Sequence, residues 1–279
     1  MVGAMEIAVI IAAAGASSRY SQASGNASGA TGGIGRHKLE EDLGGKTVLH
    51  RAVEVFSKHD DVKHIVIAGP HDEEAYAEFR RKHGYRLGLL GAVIVRGGKT
   101  HRYESVAAAL AAVPASATHI AVHDAARPCL DARLLESVLE MARTHAAVIP
   151  AVTCADTVKR VRVTDEPRVV DDDPIAAILG ASPKSGEKLS VVEETLDRSS
   201  LVLVQTPQVF RAELLRRAYA QTDLSSTDDA GLVERLGERV AICPGDPRNI
   251  KITTPEDLTL ARAILNVKPP EAKSALHRF

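Results

Sequence analysis

The chain has no tryptophan, 3% aromatic residues and three cysteines in 279 residues. The cysteines, Cys129, Cys154 and Cys243, form no CxxC pair and no Cys/His cluster at zinc-ligand spacing. A disulfide framework and a structural metal site are thereby excluded, and a reducing, cytoplasmic setting is expected. Charge of one sign is also lacking: 35 Lys and Arg face 36 Asp and Glu, a net charge of −1. No field over the whole surface would draw DNA, RNA or an anionic membrane, so any polyanion must be met locally. No apolar run approaches the roughly 20 residues of a membrane span. The opening MVGAMEIAVIIAAAG lacks the basic stretch of a secretory signal and reads as a buried first strand. Two phosphate motifs are missing as well. Gly15 has no GxGxxG partners, and neither Gly45-Lys46-Thr47 nor Gly98-Lys99-Thr100 has the earlier glycine of a P-loop.

What is present suits a globular enzyme. With 45% hydrophobic residues, a chain of this length buries about three quarters of its unfolded surface and needs no cofactor to hold a core. Continuously apolar segments recur at Ile7–Ala14, His64–Ala68, Ala92–Val95, His119–Val122, Ala146–Ala151 and Leu201–Gln205. Runs of this kind fit strands covered on both faces. Between them, Val48–His59, Glu73–His83, Tyr103–Val113, Leu134–His145 and Ala212–Gln221 carry helical apolar spacing. The expectation is an α/β fold with a mostly parallel sheet and helices on both faces. Thr254-Pro255-Glu256-Asp257 is a helix start, with a capping hydroxyl, proline at the first position and acids in the first turn.

One domain, residues 1–267, is expected, followed by a loose tail over 268–279 after Lys268-Pro269-Pro270. Two regions break its rhythm. Residues 20–36 are nearly all Ser, Gly, Ala, Asn and Thr and read as a flexible loop, because they have little to bury against their ordering entropy. Residues 154–198 are more polar, with alternation over Thr157–Val163, and read as a projecting β-arm. No internal repeat is seen.

Three segments could carry chemistry. Ala12-Ala13-Ala14-Gly15-Ala16-Ser17-Ser18-Arg19 leaves the first strand, where small residues let backbone N–H groups approach phosphates. A tight turn with a surface arginine reads this fragment equally well. Val122-His123-Asp124-Ala125-Ala126-Arg127-Pro128 ends a central strand. Its aspartate suits a divalent cation or substrate hydroxyls and its arginine an anion; an ion pair closing the strand is the plainer reading, and His123 reads as a structural strand residue. Third, Lys251 in Asn249-Ile250-Lys251 stands just before the capped helix, where it can place a point charge on a phosphate.

Taken together, AAAGASSR, HKLEEDLGGKTVLHRAVEVF, RGGKTHRYESV, VHDAARP, DTVKR, QTPQVF and NIKITTPEDL, in that order from Ile7 to Asn266, resemble the 2-C-methyl-D-erythritol 4-phosphate cytidylyltransferases of the non-mevalonate isoprenoid pathway. The resemblance implies a Rossmann-like nucleotidyltransferase sheet and a homodimer whose arms exchange over the partner's site. It also implies attack of the methylerythritol phosphate on the α-phosphorus of CTP, with Mg²⁺ required. By the same resemblance Arg19 and Lys38 grip the triphosphate. Ala13, Ala14 and Gly15 supply backbone to the nucleotide, with Gly98 and Ser105 beside cytosine and ribose. Asp124 contacts the substrate diol near the metal with Arg127 beside it, and Lys251 binds phosphate. Thr157 and Arg198 reach the other subunit's substrate phosphate, and Thr227 is a further phosphate contact. The metal ligands themselves are unassigned.

The chain departs from the family in two places. Eighteen residues separate Arg19 from Lys38, and the usual Pro-Lys-Gln triplet reads His37-Lys38-Leu39. The arm is also longer, with its excess in Asp171–Val191. Two alternatives stay open on motifs alone: a ribitol 5-phosphate cytidylyltransferase, and a non-catalytic nucleotide-binding homologue.

Overall fold

A computed structural model describes residues 5–15, 20, 37–167 and 188–269. Arg19, residues 21–36, residues 168–187 in the expected arm and the tail from 270 lie outside these residues. Contacts divide the chain into two compact units: Val152–Leu203, and the remainder on either side of it.

Along the chain to Thr153, β1 (Ile7–Ala12), β2 (Val62–Gly69), β3 (Ala92–Arg96), β4 (His119–Asp124) and β5 (Ala147–Thr153) alternate with helices. These helices are α1 (Val48–Ser57), α2 (Glu73–Gly88), α3 (Arg102–Ala111) and α4 (Ala132–Ala142). Side-chain caps start three of them: the Thr47 hydroxyl accepts from His50 N–H, and the Asp72 and Asp131 carboxylates accept from Ala75 and Leu134 N–H. The smaller unit pairs β6 (Lys159–Pro167) with β7 (Lys188–Thr195) as an antiparallel hairpin. Next come β8 (Val202–Val204), β9 (Gln208–Arg211), α5 (Ala212–Tyr219), α6 (Ala230–Glu234), β10 (Ala241–Pro244) and α7 (Pro255–Ile264).

The main sheet runs β10-β5-β9-β4-β1-β2-β3. β1 lies parallel between β2 and β4, and β10 is parallel to β5, whereas β9 is antiparallel to both its neighbours. Strand alternation divides β1 between two cores. Ile7, Val9 and Ile11 pack with Leu49, Phe56, Leu135 and Leu258 on one face. Ala8 and Ile10 pack with Val106, Leu110, Phe210 and Leu215 on the other. The expected mostly parallel, doubly covered sheet is present, with β9 as an antiparallel member that the apolar runs did not disclose.

Candidate active site

The carboxyl ends of β1 and β4 open onto a cleft of about 380 Å³, the usual ligand crevice of an open α/β sheet. Parallel register sets Ala12 opposite Asp124, so both strands deliver their last residues to the same level. Ala13, Ala14 and Gly15 line one wall. Gly98 and Ser105 line another, and the Gly98 N–H donates to Ser105 Oγ at 3.0 Å. Side chains are excluded here by close approach: a Cβ on Gly98 would stand 2.1 Å from Glu104 Cβ, and one on Gly97 2.4 Å from the Gly69 carbonyl oxygen.

Charge is concentrated at the floor. Asp124, 8% exposed, receives Lys251 Nζ at 2.9 Å, Arg102 Nε at 3.3 Å and Arg127 Nε at 3.5 Å. Burial pushes its carboxyl up, but Arg102, Lys251 and Arg127 together hold it well below the ordinary carboxylate range. Its backbone N–H donates to Thr206 Oγ1 at 3.1 Å. Lys251 is carried to this position because the Ile252 N–H donates to the Ala126 carbonyl at 2.8 Å. Lys38 Nζ donates to the Ile252 carbonyl at 3.0 Å, so three segments far apart in sequence converge on one wall.

Ala13, Ala14, Gly15, Lys38, Gly98, Ser105, Asp124 and Lys251 are thus brought together. Arg127 stands behind Asp124: its NH1 donates to the Asn249 carbonyl at 2.8 Å and its NH2 to the Val204 carbonyl at 3.4 Å. Thr227 is exposed on the turn before α6 and is not among the lining residues. Thr157 and Arg198 belong to the smaller unit, where Arg198 donates to the Ala155 carbonyl.

Two residues at the floor were not singled out in the sequence. Arg102 bridges Asp124 and the fully buried Asp229, whose Oδ2 lies 2.8 Å from Arg102 NH1. Asp229 also accepts from the Tyr219 hydroxyl. Arg102 stands inside the quoted RGGKTHRYESV and Asp229 two residues after Thr227, but only their three-dimensional pairing distinguishes them from solvated charges.

The family's sequence profile, that of 2-C-methyl-D-erythritol 4-phosphate cytidylyltransferase, matches residues 7–173 and 175–267. The chain belongs to this family. A relative of that name from Rhodococcus jostii is 42% identical over 234 residues, covering 84% of this chain and 88% of its own. One from Alkaliphilus metalliredigens is 33% identical, with 95% of each chain covered. A solved 2-C-methyl-D-erythritol 4-phosphate cytidylyltransferase from Thermus thermophilus superposes with a TM-score of 0.63 at 30% identity, covering 94% of this chain and all of its own. Among the described residues, no helix is long and apolar enough to cross a membrane.

Proposed function

We propose that this cleft performs its family's cytidylyl transfer, which serves isoprenoid biosynthesis. A phosphate oxygen of 2-C-methyl-D-erythritol 4-phosphate attacks the α-phosphorus of CTP in line. The bond from that phosphorus to the bridging oxygen breaks, and CDP-methylerythritol and pyrophosphate leave. The observation that carries the reading is the convergence of Lys38, Lys251 and Asp124 beside the small-residue wall Ala13–Gly15. A phosphate monoester has a second pKa near about 6 and is already anionic at neutral pH. The nucleophile therefore needs no general base, and catalysis reduces to positioning and to neutralising charge that grows on the triphosphate.

In this reading Lys38, with Arg19, binds the triphosphate and stabilises the pentacoordinate phosphorus. Gly15 and its neighbours offer backbone donors, and Gly98 and Ser105 flank cytosine and ribose. Asp124, oriented by Arg102 and Arg127, accepts from the polyol hydroxyls, and Lys251 serves its phosphate. Thr157 and Arg198 complete the site of a partner copy. Among the described residues, Asp124 is the single carboxylate lining the cleft, and no group of three His, Cys, Asp or Glu side chains is placed to hold a metal. That donor set fits Mg²⁺, which usually takes one or two carboxylates together with substrate phosphates. Because Asp124 already faces Lys251, Arg102 and Arg127, the ion would be held mainly by substrate phosphates beside it, and its charge when bound would further polarise the phosphoryl group.

The test is pyrophosphate release from CTP and Mg²⁺ with either methylerythritol phosphate or ribitol 5-phosphate. A higher kcat/KM with methylerythritol phosphate is expected; a preference for ribitol phosphate overturns the substrate assignment. CTP binding without release on either substrate would return the non-catalytic alternative. Lys38→Ala is expected to lower kcat by about 100-fold and to raise the CTP Kd by about tenfold.

A further inference from the structure

Between Tyr20 and His37 lie sixteen residues rich in glycine, yet the described residues on either side are laced together twice. His37 Nε2 lies 2.8 Å from the Gly15 carbonyl oxygen, and its Nδ1 lies 3.4 Å from the Leu39 N–H. A carbonyl only accepts and a backbone N–H only donates, so both bonds require the neutral imidazole with its proton on Nε2. One ring thus joins the end of the nucleotide-side wall to the 3₁₀ turn Lys38–Glu40. The second link runs the other way. Tyr20, 5% exposed, is packed in the same core as Leu39 and Leu43, and its hydroxyl is hydrogen-bonded to Glu41. The residue just before Lys38 is tied back to Gly15, and the residue just after Arg19 is tied forward to Glu41.

We propose that His37 and Tyr20 are positioning residues that fix the spacing between the Gly15 backbone and Lys38, and so the grip on the nucleotide, whatever the length of chain between them. The inference rests on the cytidylyl-transfer reading above. It accounts for the departure at the triplet: where the family has a proline ahead of the lysine, this chain has a side chain able to bond on both sides. The lacing adds to the Lys38–Ile252 bond and the burial of Leu39 a tie that offsets loop closure, whose entropic cost rises with length.

The experiment measures CTP affinity by calorimetry alongside steady-state kinetics. His37→Ala should raise the CTP Kd about tenfold and Tyr20→Phe, which keeps the ring and removes the bond to Glu41, about threefold. The KM for the polyol phosphate and the unfolding midpoint should stay unchanged. His37→Gln, whose amide reaches the Gly15 carbonyl, should recover most of the loss. Replacing residues 22–35 by a two-residue link should alter the parent chain less than twofold, yet should restore CTP affinity in the His37→Ala background. A purely structural residue would not be rescued by shortening a segment it does not belong to. Unaltered CTP affinity in both variants overturns the clasp, as does a loss that follows the unfolding midpoint or survives the shortening. A parent chain that binds no CTP overturns the cytidylyl-transfer reading and the clasp with it, whereas normal parent turnover with unaltered variants overturns the clasp alone.

Discussion

Arg102 is the residue on which the floor of the cleft depends, because it answers two carboxylates at once. Burial pushes its guanidinium down, but Asp229 and Asp124 more than reverse this and hold it protonated. Removing it leaves Asp229, which has no exposed surface, as a buried charge without its counter-ion. Arg102→Ala should therefore cost about 3–5 kcal/mol in chemical denaturation, and adding Asp229→Asn should return part of that loss. A neutral effect of the single change would show that the floor does not depend on Arg102. His123 beneath Asp124 supplies a separate signature. Burial pushes it down to about 4, while Thr206 Oγ1 and the Arg127 carbonyl lie 3.0 and 3.2 Å from its ring nitrogens. The unfolded imidazole takes up its proton near about pH 6.5. Its stabilising contribution is thus complete above that value and is lost as pH falls from 6.5 towards 4. In that window the parent chain should lose stability faster than His123→Gln, by about 1.4 kcal/mol per pH unit. The depressed Asp124 carboxyl adds its own loss only at lower pH, below the ordinary carboxylate value. Parallel curves for parent and variant between pH 6.5 and 4 would remove His123 from the account.

Among the elements, α7 shows how local chemistry places a functional side chain. Thr254 Oγ1 accepts from the Asp257 N–H at 3.4 Å, and Asp257 Oδ2 accepts from the N–H groups of Thr253 and Thr254 at 2.7 and 2.8 Å. This reciprocal box fixes the chain two residues after Lys251. Thr254→Ala should cost about 1 kcal/mol in thermal or chemical unfolding; an unchanged midpoint would show that Asp257 alone holds the start. That helix was legible in the sequence because capping is a local code. The apolar runs of β1 to β5 were legible for the same kind of reason, since strands covered on both faces need no alternation. β9 was not: four residues behind Pro207 carry too short a pattern, and only the neighbouring β4 and β5 define it. The candidate site divides likewise. Asp124, Lys251 and Gly98 sit at readable strand and helix ends, whereas the pairing of Arg102 with Asp229, 127 positions apart, is set by tertiary packing alone.

At the scale of the whole molecule, the proposed exchange of arms between two copies bears on the hairpin of β6 and β7. Its register sets Val161 opposite Val192, and with Val163 these valines are 55%, 60% and 63% exposed. A two-stranded hairpin is marginal in water by itself, and a stripe of exposed valines on one face adds a cost that a covering surface removes. Exchange between identical chains provides such a surface at no cost in new sequence and forms a closed, two-fold assembly. In that arrangement Thr157 and Arg198 act in the site of the partner, whereas Lys251 acts in its own. Chains carrying Arg198→Ala and chains carrying Lys251→Ala should each be inactive alone. In a mixed dimer one site would contain both lesions and the other neither, so co-refolding the two at equal concentration should restore up to about a quarter of parent activity, given that half of the dimers are mixed and each has one intact site. Pyrophosphate release measured on dimers purified with two different affinity tags isolates the mixed species. Recovery there would place the arm across the two-fold axis; verified mixed dimers as inactive as either parent would assign Arg198 to the site of its own chain.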